Sequence, residues 1–240
     1  MALPKVNQVE YTAELPLSKI EVGYRPFSVK EQKIFLTAME DGTAAVISKA
    51  LINVTQGCVV TEKVDVRKIP GPDLEWLFLQ IRCKSVGEST EVKFKCEQCG
   101  HMNDTEVDLT EATVGRGEQD WEGTTKVQIN DTLGVKLSAP SFGIVESKLM
   151  EVQNLSAQDL YDIVCLCISQ VYDEENVWDR TDFSQKELHE FVDSMSSEQF
   201  NRMIEFFDDL PRLQLIKTFD CTECGHHNEI DIQGLQNFFV

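Results

Sequence analysis

The sequence predicts an α+β chain with helical, bundle-like segments and antiparallel β hairpins, its two pseudo-repeated halves joined by a zinc-ribbon-like four-cysteine site. Three observations predict it. Stretches with apolar residues at i, i+3, i+4 and i+7 are followed by stretches that alternate with period two. Several helical stretches open on a serine with Glu or Gln three residues later, the capping-box pattern. And the phrase "KFKCEQCGHMN" at 93–103 returns as "TFDCTECGHHN" at 218–228. Phe94, Cys96, Cys99, Gly100, His101 and Asn103 match Phe219, Cys221, Cys224, Gly225, His226 and Asn228 at one constant offset.

The first element is a β hairpin over residues 7–25. Val9, Tyr11, Ala13 and Leu15 alternate, "PLSK" turns the chain, and Ile20, Val22 and Tyr24 alternate again. Ser28 with Glu31 starts a helix that runs to Glu40 and breaks at Asp41-Gly42, and a second covers roughly Ala44 to Thr55. In "PDLEWLFLQIRC", opened by Pro72, Leu74, Leu77, Phe78 and Ile81 form the apolar face of a third. Val92 and Phe94 then lead into the first cysteine pair, and Thr105, Val107 and Leu109 lead away from it. "KVQINDTLGVKL" reads as a central hairpin over 124–138, turning at Asn130-Asp131.

Helices resume after Pro140. Ser156 caps a stripe of Leu160, Ile163, Val164 and Cys167, with a Leu155–Leu160 staple. Ser184/Glu187 caps a helix carrying Leu188, Phe191, Val192 and Met195; Ser196/Gln199 caps another carrying Phe200, Met203, Ile204 and Phe207, ended by Pro211. Leu215 and Phe219 approach the second cysteine pair, and Ile230 and Ile232 leave it. Each half, about 26–110 and 140–240, therefore reads helices, strand, knuckle, strand. The period is too long for a solenoid, and no low-complexity or Pro/Ser-rich linker interrupts the chain, so residues 1–240 are expected to form one compact unit.

C-x-x-C-G is the sequence of a zinc knuckle. Two intervening residues let both thiolates face one metal, and the glycine permits the left-handed backbone that aims N–H groups at sulfur. One knuckle supplies two ligands and structural zinc takes four, so Cys96, Cys99, Cys221 and Cys224 are expected to hold one Zn²⁺ per chain. Such a site has no open position and is structural rather than catalytic. The other readings are two sites that use His101 and His226 or His227, a redox dithiol, and unliganded thiols. No thioredoxin-like βαβ pattern accompanies either pair. His101 and His226 read as hairpin residues hydrogen-bonded beside the metal.

The formal net charge of −19, with no Lys/Arg run longer than a pair, opposes binding to nucleic acid or anionic lipid and suits basic protein partners. No apolar run reaches membrane-spanning length, and "MALPKVNQVEY" is not a secretory signal, so a cytosolic origin is expected. Eight cysteines in such a chain do not read as a disulfide framework; Cys58, Cys83, Cys165 and Cys167 read as core.

Pro72-Asp73 with Glu91-Val92-Lys93 resembles the PD…E-x-K pattern of metal-dependent nucleases. The competing reading makes Asp73 a helix-start carboxylate and Glu91 and Lys93 exposed strand residues. "YDEENVWDRTDF" at 172–183 lacks calcium-loop spacing and reads as a solvated connection, and His189 has no catalytic partner in sequence. No phosphate loop, nucleophile elbow or zinc-protease motif is present, so a non-enzyme is expected. The C-terminal "LQNFFV" packs on its own domain or forms an apolar docking tail.

At "YRPFSVKEQKIFLTAME", "DLEWLFLQIRCKSVGE" and "VKFKCEQCGHMN" the chain resembles the baseplate hub proteins of T4-like tailed phages, over residues 1–110 in wording and beyond them in layout. The resemblance implies a non-enzymatic structural or assembly component of the tail baseplate hub. It implies partners among hub or tail proteins, an oligomer within the hub as one arrangement, and a place in the host cytoplasm during assembly or in the virion baseplate. The alternative from a different class is a zinc-ribbon regulatory factor acting on a polymerase or nucleic acid, which calls for a basic groove or stacking aromatics beside the knuckles.

Overall fold

A computed structural model describes residues 8–115, 123–144, 156–208 and 210–233. In chain order the first elements are β1 (Tyr11–Glu14), β2 (Glu21–Tyr24), α1 (Val29–Asp41), α2 (Ala44–Cys58), α3 (Gly71–Val86), β3 (Ser89–Lys95), β4 (Met102–Asp108) and β5 (Thr113–Gly115). There follow β6 (Thr124–Gln128), β7 (Gly134–Ser138), α4 (Ala157–Cys167), β8 (Ile168–Tyr172), β9 (Val177–Asp179), α5 (Gln185–Asp193), α6 (Ser197–Asp208), β10 (Arg212–Asp220) and β11 (His227–Gln233). All strand pairs are antiparallel and the class is α+β, as expected. Leu155 of the expected staple and the "LQNFFV" tail lie outside the described residues.

The sequence reading treats the chain as one unit; its contacts group it into two. Unit 1 comprises Met1–Val66, Pro72–Gly115 and Arg212–Val240, and unit 2 comprises Arg67–Gly71 and Arg116–Pro211.

In unit 1 the β1–β2 hairpin sets Tyr11 opposite Tyr24, their rings stacked at 5.8 Å. Its turn is held from outside. The Leu17 and Ser18 N–H groups donate to the two carboxylate oxygens of Asp73 at 2.8 and 2.9 Å, and Asp73 is fully buried in the first turn of α3. The residues of the nuclease-like pattern have structural surroundings: Asp73 serves the turn, Glu91 is exposed on β3, and Lys93 pairs with Asp104 across the β3–β4 ladder at 3.4 Å. Leu74, Leu77, Phe78 and Ile81 of α3 are fully buried, as their spacing predicts, and Phe78 packs on Phe35 of α1 with ring centroids 4.7 Å apart.

Helix α1 starts and stops where the sequence places it, with the Ser28/Glu31 box at one end and Gly42 in the left-handed region (φ 74°) at the other. Helix α2 runs a turn past Thr55. Arg25 explains the extension: its Nη2 donates to the Gly57 carbonyl at 2.6 Å, placing a cation on the last carbonyls of the helix. The same guanidinium donates to Glu31 at 3.0 Å, and the Ser28 N–H donates to Glu31 at 2.8 Å. One ion pair therefore joins the end of β2, the cap of α1 and the C-terminus of α2.

In unit 2 the sheet order is β6-β7-β8-β9, with the central hairpin turning at Asn130, whose side chain accepts from the Thr132 and Leu133 N–H groups. Helices α4, α5 and α6 supply Ile163, Val164, Leu188, Val192, Met203 and Phe206 to a core shared with Val135, Leu137 and Ile168 of the sheet. Ser156, Ser184 and Ser196 cap them as expected, with Asp159 as the partner of Ser156. Cys165 and Cys167 are buried core residues, as are Cys58 and Cys83. Two strands are additional to the sequence reading. Helix α4 passes without a turn into β8, and the acidic connection "YDEENVWDRTDF" contains β9 beyond a tight turn in which Asp173 accepts from the Glu175 and Asn176 N–H groups.

Burial works against the Glu31 carboxylate, but the hydrogen bonds from Arg25 and Ser28 outweigh it and hold its pKa down to about 2, below the ordinary 4.5. Its contribution is complete above pH 4.5 and is lost as the pH falls through the folded value. Glu31→Gln is expected to destabilise unit 1 by about 1–3 kcal/mol at pH 7 and to flatten the acid limb of urea midpoint against pH. Asp73→Ala is expected to lower the melting temperature by leaving two turn N–H groups without acceptors, a loss of about 2–4 kcal/mol read by thermal or urea unfolding.

Candidate metal centre

Both cysteine phrases fold as hairpin tips within unit 1. Strands β3 and β4 flank the first and β10 and β11 the second, and in each the phenylalanine pairs with the asparagine across the ladder: Phe94 with Asn103, Phe219 with Asn228. The tips close in the same way. The Cys96 N–H donates to the His101 carbonyl at 2.8 Å and the Cys221 N–H to the His226 carbonyl at 2.9 Å. The Gly100 and Gly225 N–H groups return to the Cys96 and Cys221 carbonyls, both at 2.9 Å. These glycines have φ of 75° and 71°, the left-handed backbone that a side chain would strain.

The two tips meet. The four sulfurs lie within 4.8 Å of one another, with Cys96 and Cys224 at 3.7 Å and Cys99 and Cys221 at 3.6 Å. Zn–S bonds of about 2.3 Å in a tetrahedron give sulfur–sulfur edges of about 3.8 Å, so both spacing and donor type are compatible with a soft, four-coordinate metal. Cys96 and Cys221 are buried, while Cys99 and Cys224 are exposed. Among the described residues this is the group of three or more Cys, His, Asp or Glu side chains close enough to share an ion.

The acidities of the thiols divide along the same line. The Cys224 backbone N–H, followed by that of Glu223, pulls Cys221 down to about 6. Burial disfavours the Cys96 thiolate, but the N–H groups of Cys99 and Gln98 outweigh it and lower the pKa. The His101 N–H favours the Cys99 thiolate, yet the neighbouring sulfurs, Cys224 first, push it up to about 12. Cys224 is raised as well, against the His226 N–H, by burial and by Cys221 and Cys96. In each knuckle the backbone N–H groups favour the thiolate at the first cysteine, while the second is disfavoured; four thiolates this close would repel one another unless a cation lay between them.

Around the sulfurs the two asparagines form a reciprocal clasp. Asn103 accepts from the N–H and hydroxyl of Thr222 at 2.9 and 3.0 Å and donates to the His101 carbonyl at 3.1 Å. Asn228 accepts from the Glu97 N–H at 3.0 Å and donates to the His226 carbonyl at 2.8 Å. Each asparagine thus binds the residue after the first cysteine of the opposite knuckle, and both are buried. Phe94 and Phe219 stack beside them, centroids 6.0 Å apart. Sequence reasoning found all six repeated positions but gave the asparagines and phenylalanines no role. His101 and His226 act through their carbonyls, and the His227 ring bonds Asp220 at 2.7 Å. His189, in unit 2, meets Gln185 and lies apart from any metal-capable cluster among the described residues.

The family described as T4 bacteriophage base plate protein matches residues 7–240. Baseplate hub assembly protein gp26 of Enterobacteria phage T4 is 22% identical over 233 residues, covering 96% of this chain and 98% of that protein. No solved structure gives a significant match.

Asn103→Ala and Asn228→Ala are each expected to cost about 1–3 kcal/mol, because each removes a buried side chain that bonds a part-buried N–H of the opposite knuckle and the carbonyl of its own. The double variant is expected to cost less than the sum, since both side chains hold the same pair of tips. Urea unfolding followed by circular dichroism checks this, and strict additivity would contradict a shared clasp.

Proposed function

The chain belongs to the T4 bacteriophage base plate protein family, and from that premise we propose that it is a non-enzymatic structural or assembly component of a phage tail baseplate hub, acting through protein–protein contacts and stabilised by one zinc ion held by Cys96, Cys99, Cys221 and Cys224. The observation that carries the reading is the extent of the likeness. It spans nearly the whole chain and nearly the whole of a protein named for hub assembly, so both units belong to the comparison.

The rest of the molecule supports the reading. Asp73, weighed as part of a nuclease-like pattern, holds a turn; Glu31 serves an ion pair, and Cys58, Cys83, Cys165 and Cys167 lie in the cores. The metal, when bound, supplies cross-linking, because four thiolates leave a tetrahedral ion no open position. The knuckle residues do the remainder: their backbone N–H groups stabilise the thiolates and the asparagine clasp sets the distance between tips. A formal charge of −19 favours basic protein partners over nucleic acid or anionic membrane. No described helix is long and apolar enough to cross a membrane. The host cytoplasm during assembly, and then the tail baseplate, are the locations that fit.

Metal analysis of the purified chain is expected to find one zinc per chain, lost in Cys221→Ser together with cooperative unfolding; two zincs per chain would favour separate sites. Zinc release is expected on acidification, as the thiolates take up protons, and with chelator. Affinity capture of the tagged chain from phage-producing cells is expected to recover baseplate and tail proteins. Recovery of polymerase subunits or nucleic acid in their place would replace the hub reading with that of a zinc-ribbon regulator.

A further inference from the structure

Unit 2 carries a feature that neither the zinc site nor the fold uses. Between β9 and α5 lies an open cleft of about 430 Å³ whose lining is mostly apolar. Val171 and Leu188, both buried, form its floor. Its walls include Trp178 and the half-buried Phe191. Trp178 stands opposite Val171 in the β8–β9 register, so the two share one face of the sheet, yet the tryptophan as a whole remains 39% exposed. A tryptophan standing at the mouth of an apolar cleft is the arrangement found at the centres of binding interfaces rather than in finished cores.

The mouth is acidic. Asp182 and Glu187 line the cleft and are exposed. Each uses one oxygen locally, Asp182 on the Asp179 N–H at 2.8 Å and Glu187 on the Ser184 N–H at 2.7 Å. The surrounding segment, residues 172–193, has eight carboxylates against Arg180 and Lys186. Both cations are engaged: Arg180 lies over the Phe183 ring and donates to Gln185, and Lys186 pairs with Glu190 at 3.4 Å. The cleft therefore joins an apolar anchor point to a negative rim with little local compensation.

We propose that this cleft docks a segment of another baseplate protein that presents one large apolar side chain flanked by lysine or arginine. The proposal rests on the hub reading above and adds to it the surface and the chemistry of the partner. A second copy of this chain is the poorer occupant: it would bring the same acidic rim and another formal charge of −19 to the contact.

The test is photo-cross-linking in phage-producing cells, with p-benzoylphenylalanine placed singly at Trp178 or Leu133 in the cleft, at Val177, whose side chain is 62% exposed on the other face of β9, and at Val29 on α1, 81% exposed in unit 1. Circular dichroism melts verify that each variant folds, and Leu133 serves if Trp178 does not tolerate replacement. The expected result is an adduct from the cleft positions and not from Val177. Peptide mapping should place it on a baseplate protein, at an apolar residue with Lys or Arg within a few positions. Asp182→Asn combined with Glu187→Gln, which keeps the α5 cap, should lower the adduct yield at least ~5-fold. Baseplate adducts from Val29 or Val177 alone would overturn the cleft proposal while leaving the hub reading standing. So would cleft adducts only to a second copy, or a yield indifferent to the two carboxylates. Absence of any tail or baseplate adduct from all four positions would count against both.

Discussion

The clasp between the two knuckles is the constraint on which unit 1 depends. It joins hairpins whose nearest cysteines have 121 residues between them. Loop-closure entropy rises only as the logarithm of length, so a loop of this size costs about 1.2 kcal/mol more than one a quarter as long. Against that stand the two asparagines with their hydrogen bonds across the contact, a stacked phenylalanine pair and four sulfurs at metal-binding distance. Placed around one point, they share the cost of bringing the tips together.

The acidic composition has an internal use as well as an external one. Glu31, Asp73 and Asp159 are buried carboxylates in a chain whose acidic residues are otherwise mostly exposed, and each accepts from backbone N–H groups at a helix start or turn. Such a carboxylate satisfies donors that would otherwise be buried without partners, and it sits at the positive end of a helix. What remains on the surface is unbalanced negative charge, and the rim of the unit 2 cleft is one place where it gathers.

Much of this was legible in the sequence because the signals are local. The serine caps of α1, α4, α5 and α6, the apolar face of α3 and the hairpin at Asn130 follow from residues within a few positions of one another, and each cysteine phrase is itself a local motif that pairs with its copy by simple repetition. Strand β8 was not legible. Within "DIVCLCISQV" Ile163 to Ile168 is a continuous apolar run, and periodicity cannot mark where Cys167 ends a helix and Ile168 begins a strand; the sheet partner β7 decides that. β9 and the three-residue β5 depend on their sheet neighbours in the same way. Asp73 and the asparagines teach the complementary lesson. Asn103 and Asn228 were visible as matched letters, but their partners, Thr222 and Glu97, lie more than a hundred residues away, and no spacing rule reaches so far.

Gly115 and Arg212 are direct partners in the β5–β10 ladder, so the chain leaves unit 1 and returns to it at neighbouring points, with most of unit 2 between them. On a ribosome this order becomes a schedule. At roughly 5–20 residues per second, the 121 residues between Cys99 and Cys221 take about 6–24 s to make. Throughout that interval the first knuckle exists as a pair of thiols without its counterpart, while unit 2 emerges complete and free to fold. The second knuckle therefore closes on the first only after the insert has been made, and a ribosome that stalls within the insert leaves a nascent chain carrying half of the four-cysteine cluster, open to oxidation or to a cysteine pair from a neighbouring chain.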